Sequence, residues 1–184
     1  THKRGIKELE QRIQNTQNYI VETIEIIKTQ LLEDGFIEKT NDKYKLTPIG
    51  CSATHIQEAH SLILSELLMR ETFRTLEIND IISVLSVFVP VRTNEEPSIE
   101  LLKDRPYYEE TKYIRERNDY FKAKDERYML DVGEDYTFQT VLCDAVDTWL
   151  TLETSQNCNS FLQELTKYGI FTGEFTKSIL KINA

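Results

Sequence analysis

The stretch from Tyr44 to Val91, YKLTPIGCSATHIQEAHSLILSELLMRETFRTLEINDIISVLSVFVPV, decides how the whole chain folds. Thr47 followed by Pro48 marks a helix start. A threonine oxygen accepts from an otherwise unpaired amide, and proline at the first helical position has no amide hydrogen to leave unpaired. Further on, Leu62, Ile63, Leu67 and Leu68 recur at helical spacing, with Ser61, Ser65 and Glu66 between them. One face is therefore built for burial. Asn79 to Phe88 repeats the plan, with Ile81, Ile82, Leu85 and Phe88 on one side and Asp80 and Ser83 on another. Pro90 stops it, having no donor for the helical ladder.

Working outward toward the N-terminus, Ile6, Leu9, Ile13, Ile20, Ile24, Ile27 and Leu31 trace one stripe on a long helix. The stripe thins between Gln14 and Asn18. A coiled coil would sustain its heptads over more turns, so the expectation is a helix packed on the domain. Gly35 suits the left-handed position that closes such a helix. Phe36 and Ile37, then Thr40 to Asp42, then Tyr44 and Leu46 read as two short strands about a polar turn.

Toward the C-terminus, Thr93 to Ser98 has loop composition, and Ile99 to Asp104 reads as a short helix. Tyr107 to Arg127 reads as a helix with mostly solvated faces, its thin stripe being Ile114, Tyr120 and Phe121, with Arg117 on that same side. Asp131 to Asp135 punctuates. Phe138, Val141, Leu142, Ala145, Val146 and Trp149 form a strong apolar face. Asn159 or Ser160 opens the next helix, with Phe161, Leu162 and Leu165 inward and Tyr168-Gly169 closing it. In the last segment Thr172 reads as a cap and Glu174 sits where a helix start favours negative charge. Phe175, Ile179 and Ile182 define one face, Lys177 and Lys181 another. The fold class expected is mainly α: a helical bundle with at most one small β-hairpin near residues 36–46. Its parts are a leading helix (1–34), a hairpin and first helical part (35–92), a connection with a polar helix (93–135) and closing helices (136–184).

With 184 residues, 40% hydrophobic and 29% charged, the chain has the composition of one soluble domain. No run approaches the ~18 apolar residues of a membrane span, so no membrane partner is expected. The three cysteines, Cys51, Cys143 and Cys158, are odd in number and form no close pair, which suits a reducing, intracellular compartment. The formal net charge of −9 opposes indiscriminate attraction to phosphate. There is no GxxxxGK phosphate loop and no DExH box, so ATP hydrolysis does not reside here and the chain holds no cofactor or metal of its own. His2, His55 and His60 lack a partner pattern; each reads as a surface or satisfied core residue. Glu95-Glu96 and Glu109-Glu110 read as solvated charge. Tyr107, Tyr108 and Tyr113 beside Lys112 and Arg115 could stack bases and bind phosphate, but packing at the core edge is the commoner use of tyrosine.

The order "LTPIG", "LILSELL", then "TFRTLEINDIISVLSVFV" resembles the C-terminal helical (DSHCT) domain of Ski-type, exosome-assisting DExH-box RNA helicases. Here the family's acidic pair is His60 and Ser61, its asparagine-glycine turn is Arg70 and Glu71, and its cysteine is Val87. A second match is Ile170 to Ile182. By resemblance this final helix lines the RNA path, and Lys177 and Lys181 stand at two arginine positions as the nucleic-acid-binding residues. Lysine there keeps a point charge and loses the planar fork. The resemblance implies a superfamily 2 parent that binds ATP and Mg in motor domains of the same polypeptide. It also implies single-stranded RNA as a partner, held weakly by this part alone, and an RNA-decay complex as a further one. A competing reading takes the helix, "DGFIEK", the hairpin and "YKLTPIG" as the end of a winged-helix transcriptional regulator that dimerises through residues 6–31. A helical protein-interaction module is the remaining alternative.

Overall fold

The protein, seen in a computed structural model, is described over residues 2–94, 96, 98–130 and 136–183, with side-chain surroundings for all of these except 2–5 and 7–12. Glu95, Pro97 and the Asp131–Asp135 punctuation lie outside the described residues, as do the side chains of His2 and Leu9. The described elements are α1 (His2–Glu33), β1 (Ile37–Thr40), β2 (Lys43–Leu46), α2 (Pro48–Ala53), α3 (Ser61–Met69), α4 (Glu71–Arg74) and α5 (Ile78–Ser86). After a 3-10 turn at Ile99–Leu102 come α6 (Tyr108–Tyr128), α7 (Thr140–Leu150), α8 (Ser155–Glu164), a second 3-10 turn at Leu165–Tyr168, and α9 (Thr172–Ile182). The protein is mainly helical, with one antiparallel hairpin that pairs Ile37 with Leu46 and Thr40 with Lys43.

The helix-to-hairpin corner follows from local chemistry. Gly35 has φ +76°, its amide donates to the Leu32 carbonyl (3.2 Å), and the Phe36 amide reaches back to Leu31 (2.9 Å). That pair of bonds closes α1 in the Schellman manner and delivers Phe36 into the core, 1% exposed. Asn41 and Asp42 both have positive φ, the conformation that a two-residue hairpin turn requires. Thr47 caps α2 by accepting the Gly50 amide (3.2 Å) while its hydroxyl donates to the Gly35 carbonyl (2.7 Å). Gly50 is needed for a different reason: a Cβ there would stand 1.9 Å from the Phe36 carbonyl oxygen.

Two apolar clusters make the interior. The first joins Phe36, Ile63, Leu67, Phe73, Val84, Tyr107, Ile114 and Phe121. The second joins Val89, Val91, Val141, Val146, Phe161, Leu165, Ile170 and Phe175. α5 and α7 pack on one another where the two meet. Ser83 and Ser86 are fully buried at this crossing. Their small side chains let the backbones approach, and the Cys143 thiol donates to the Ser83 carbonyl at 3.0 Å. Burial raises the thiol's pKa to about 12, with bonds to Tyr107 and Ser86 opposing.

Several expectations change. Ser83 was assigned to the polar side of its helix and is interior; Leu68 was assigned inward and is 38% exposed. α8 opens at Ser155, with Thr154 accepting the Asn157 amide, four or five residues before the expected start. α6 keeps a solvated face, as expected, but its other face is buried more deeply than its thin stripe suggests: Glu110, Thr111, Ile114, Asn118 and Phe121 are buried. Its Arg117 forms a fork on Glu66 of α3, Nε to Oε2 at 2.6 Å and Nη2 to Oε1 at 2.7 Å, and stacks on the Tyr120 and Phe121 rings. Glu110 pairs with Arg70 at 2.7 Å. Finally, among the described side chains α1 does not lay its stripe on the domain: Ile13, Ile20 and Ile24 are exposed, while Leu31 in its last turn packs on the first cluster.

Candidate nucleic-acid interface

Helix α9 is held by one face. Phe175 and Ser178 are buried, and Ile179 and Ile182 pack against the same cluster. The Phe175 ring meets Phe161 and Trp149 edge-on at 5.5 and 6.3 Å between centroids. Ser178 satisfies its hydroxyl on the Glu174 carbonyl at 2.9 Å, so a polar side chain is buried without loss. The expected Thr172 cap is displaced by one residue. Phe171 occupies the cap position without a side-chain bond, and the Thr172 hydroxyl donates to the Leu162 carbonyl at 3.4 Å.

With that face committed, Thr176, Lys177, Leu180 and Lys181 point outward. The two lysines lie one turn apart on the exposed side. Lys177 is 74% exposed and stands 3.3 Å from Glu174. An ion pair this open contributes about 0–1 kcal/mol, so the ammonium remains available to another anion. Lys181 borders a groove of about 400 Å³ that also takes in His55, Gln57, Glu58, Leu64, Leu85 and Phe88. The groove wall from His55 to Ala59 was not anticipated; it is an irregular link between α2 and α3 with no periodicity to mark it. Its only signal is polarity, at Gln57 and Glu58.

The tyrosine group resolves into packing. Tyr107 is fully buried. Tyr113 donates to Glu66 at 3.1 Å under the Arg70 guanidinium, 4.1 Å from the ring centre, and burial with the Glu66 charge raises its pKa to about 12. His55 is exposed and its Nδ1 lies 2.9 Å from the Cys51 carbonyl. His60 is buried, caps α3 toward the Ile63 amide at 3.5 Å, and stacks on Phe121 at 5.4 Å. Among the described residues no three His, Cys, Asp or Glu side chains converge on a point where a metal could sit, and no helix is long and apolar enough to cross a membrane.

No curated protein matches the chain. The family model of the DSHCT (NUC185) domain matches residues 43–182, from β2 through α9, with α1 falling outside it. A match over that much of the chain, on a helical body with the expected hairpin at its entrance, places the chain in the DSHCT (NUC185) domain family, the accessory helical domains found in Ski-type helicases.

Proposed function

We propose that this domain closes the RNA channel of an ATP-dependent RNA helicase over the motor domains of the same polypeptide, with α9 facing single-stranded RNA. ATP and Mg belong to those motor domains in this reading; the groups described here move no proton and make no bond. Their work is mechanical and electrostatic. Lys177 and Lys181 meet successive phosphates while Leu180, 65% exposed beside them, offers an apolar surface to the bases. The observation that carries the reading is that both lysines share the outer side of a helix whose inner side is anchored in the core.

The test uses the intact helicase polypeptide and a single-stranded oligonucleotide. Replacing both lysines by alanine lowers affinity and reduces the slope of log K against log salt by about 1.4, the counterion release expected of two contacts on a single strand. Lys167→Ala, another exposed lysine, paired with Glu164 three residues before it, leaves the slope unchanged. An unchanged slope in the double variant sinks the assignment. The isolated 184-residue chain, at net charge −9, binds RNA weakly and only at low salt. Tight, salt-insensitive binding of a duplex by the isolated chain would contradict the reading.

A further inference from the structure

Between α6 and the segment 136–139 that leads into α7 lies a groove of about 450 Å³. Arg115, Asn118, Asp119 and Lys122 form its α6 wall, and Tyr136 to Gln139 form the other. Both walls lie within the family match and well inside the sequence. Each is anchored: Ile114 and Phe121 of α6 are buried in the first cluster, Phe138 packs on that cluster, and the Gln139 amide donates to the Val87 carbonyl at 2.9 Å.

Three features of the groove define what fits it. First, Arg115 and Lys122 are exposed and seven positions apart, two turns along one face of α6. Among the described residues neither stands within ion-pair distance of an acid, so the charge of Arg115 stays open although the tyrosines around it pack into the core. Second, the groove holds acceptors that lack donors. Asn118 is 6% exposed, and its Nδ2 lies 3.4 Å from the carbonyls of both Tyr136 and Thr137, which fixes the orientation of the amide. Its Oδ1 is enclosed without a donor, as is the Oε1 of Gln139. An enclosed acceptor with no donor costs about 1–3 kcal/mol, so an occupant that brings N–H groups is favoured there. Asp119 adds an exposed carboxylate to the same wall. Third, Gln139 is extended, at φ −117° and ψ 97°, the backbone form beside which an added strand lies.

An acidic peptide meets all three. Its backbone supplies an N–H at every residue and its carboxylates answer the two cations. A phosphodiester chain brings no N–H from its backbone and sets its own negative charge against Asp119. The spacing adds a further condition. At ~1.5 Å per residue Arg115 and Lys122 stand about 10 Å apart along the helix axis, the span of three residues of extended chain at ~3.3 Å each.

We propose that this groove docks an extended acidic segment of a partner protein, with two carboxylates three residues apart on Arg115 and Lys122 and the N–H groups between them directed to Asn118, Asp119 and Gln139. Lys177 and Lys181 take no part, so the site stands apart from the RNA reading of α9.

The probe is a fluorescein-labelled peptide, Glu-Thr-Val-Glu flanked by glycines and capped at both ends, followed by anisotropy at low salt against the 184-residue chain and against the intact helicase polypeptide. Both bind it. Arg115→Ala with Lys122→Ala lowers affinity about tenfold, the scale of two partly exposed ion pairs, while Lys112→Ala on the same helix has no effect. Methylating the peptide nitrogens between the two glutamates removes the donors without touching the protein and abolishes binding. In nitrogen-15 spectra of the 184-residue chain the side-chain amide signals of Asn118 and Gln139 move as the peptide is added. Absence of binding overturns the proposal, as does binding that the double alanine variant leaves unchanged. A methylated peptide that binds equally well reduces the contact to charge alone and overturns the assignment of the acceptors. Binding to the 184-residue chain but not to the intact polypeptide means that the rest of the polypeptide fills the groove, which overturns the assignment to a separate partner. An oligouridylate that moves the Asn118 and Gln139 signals as the peptide does makes the groove a nucleic-acid site and overturns it too.

Discussion

α1 and α6 exchange the roles that their sequences suggest. α1 carries the cleaner apolar stripe, yet its Ile13, Ile20 and Ile24 are exposed. α6 is rich in Glu, Lys, Arg and Tyr, and it lays one face into the core, with Glu110 and Thr111 buried there, while its other face stays exposed. Periodicity says that a face will be covered; it does not say by which body. Polarity likewise says only that each charge needs a partner. α6 finds its partners inside the fold, in Arg70 and Glu66 of the α3 region, whereas Ile13, Ile20 and Ile24 of α1 stay exposed.

The strongest way to break this contrast is to remove a partner on α6. Glu66 and Arg117 are 12% and 21% exposed, so Arg117→Ala leaves a nearly buried carboxylate without its fork. We expect a loss of about 3 kcal/mol in urea unfolding, the scale for orphaning one member of a buried pair. Replacing both, Glu66→Leu with Arg117→Met, removes the desolvation cost of the charges along with their attraction and costs less than the single change. If Arg117→Ala unfolds no more easily than an exposed substitution such as Lys112→Ala, α6 is a solvated helix after all.

Local signals were legible because they are short-range physics. Thr47-Pro48, Gly35 and the Asn41-Asp42 turn each satisfy or free a backbone group within a few residues, and each stands as read. What failed depends on distant chain. Ser83 reads as polar until α7 approaches closely enough to want small side chains there and at Ser86, whose hydroxyl is satisfied by the Ser83 carbonyl at 2.6 Å. Arg117 reads as an intrusion until Glu66, 51 positions away, meets it. Ser155 to Asn157 carries no apolar residue, so the first turn of α8 has nothing for a periodic pattern to catch. At the candidate interface, the lysines came from resemblance to a family motif, and their common exposed face from spacing. The groove beside Lys181 joins segments roughly ninety residues or more apart in sequence, and only the polarity of Gln57 and Glu58 hints at it.

A smaller effect sharpens the contrast where the two helices meet. Lys124 of α6, 10% exposed, reaches Asp34 at 2.7 Å and Glu33 at 3.0 Å, and Tyr120 donates to Asp34 at 2.7 Å. Burial alone would lower the Lys124 pKa, but the bonds to Asp34, Glu33 and Tyr120 outweigh it and the net shift is upward. A pKa raised by folding contributes stability below the unfolded value, ~10.4 for lysine, and the contribution is lost as pH rises through the folded value. Tyr113, raised to about 12 chiefly by burial, acts with the same sign. Stability should therefore fall above pH ~10. Lys124→Met should cost about 1–2 kcal/mol at neutral pH and make that alkaline fall shallower. Amide exchange in residues 27–34 should quicken in the variant while α7 stays protected. Equal protection at both places would mean that the root of α1 is held by Phe36 and the Gly35 closure alone.

The smallest expected effect is the most diagnostic of α1. Ile13→Ser should change unfolding free energy by no more than ~0.5 kcal/mol, the range of ordinary surface substitutions. Deleting an isoleucine that truly packed on the domain would cost ~2–5 kcal/mol through lost burial and the cavity left behind. The two cases are far enough apart that one pair of denaturation curves separates them. A large loss would mean that the stripe folds back onto the body, and the contrast with α6 would vanish. A negligible loss would mean that these isoleucines draw no stability from the described body, as their exposure implies.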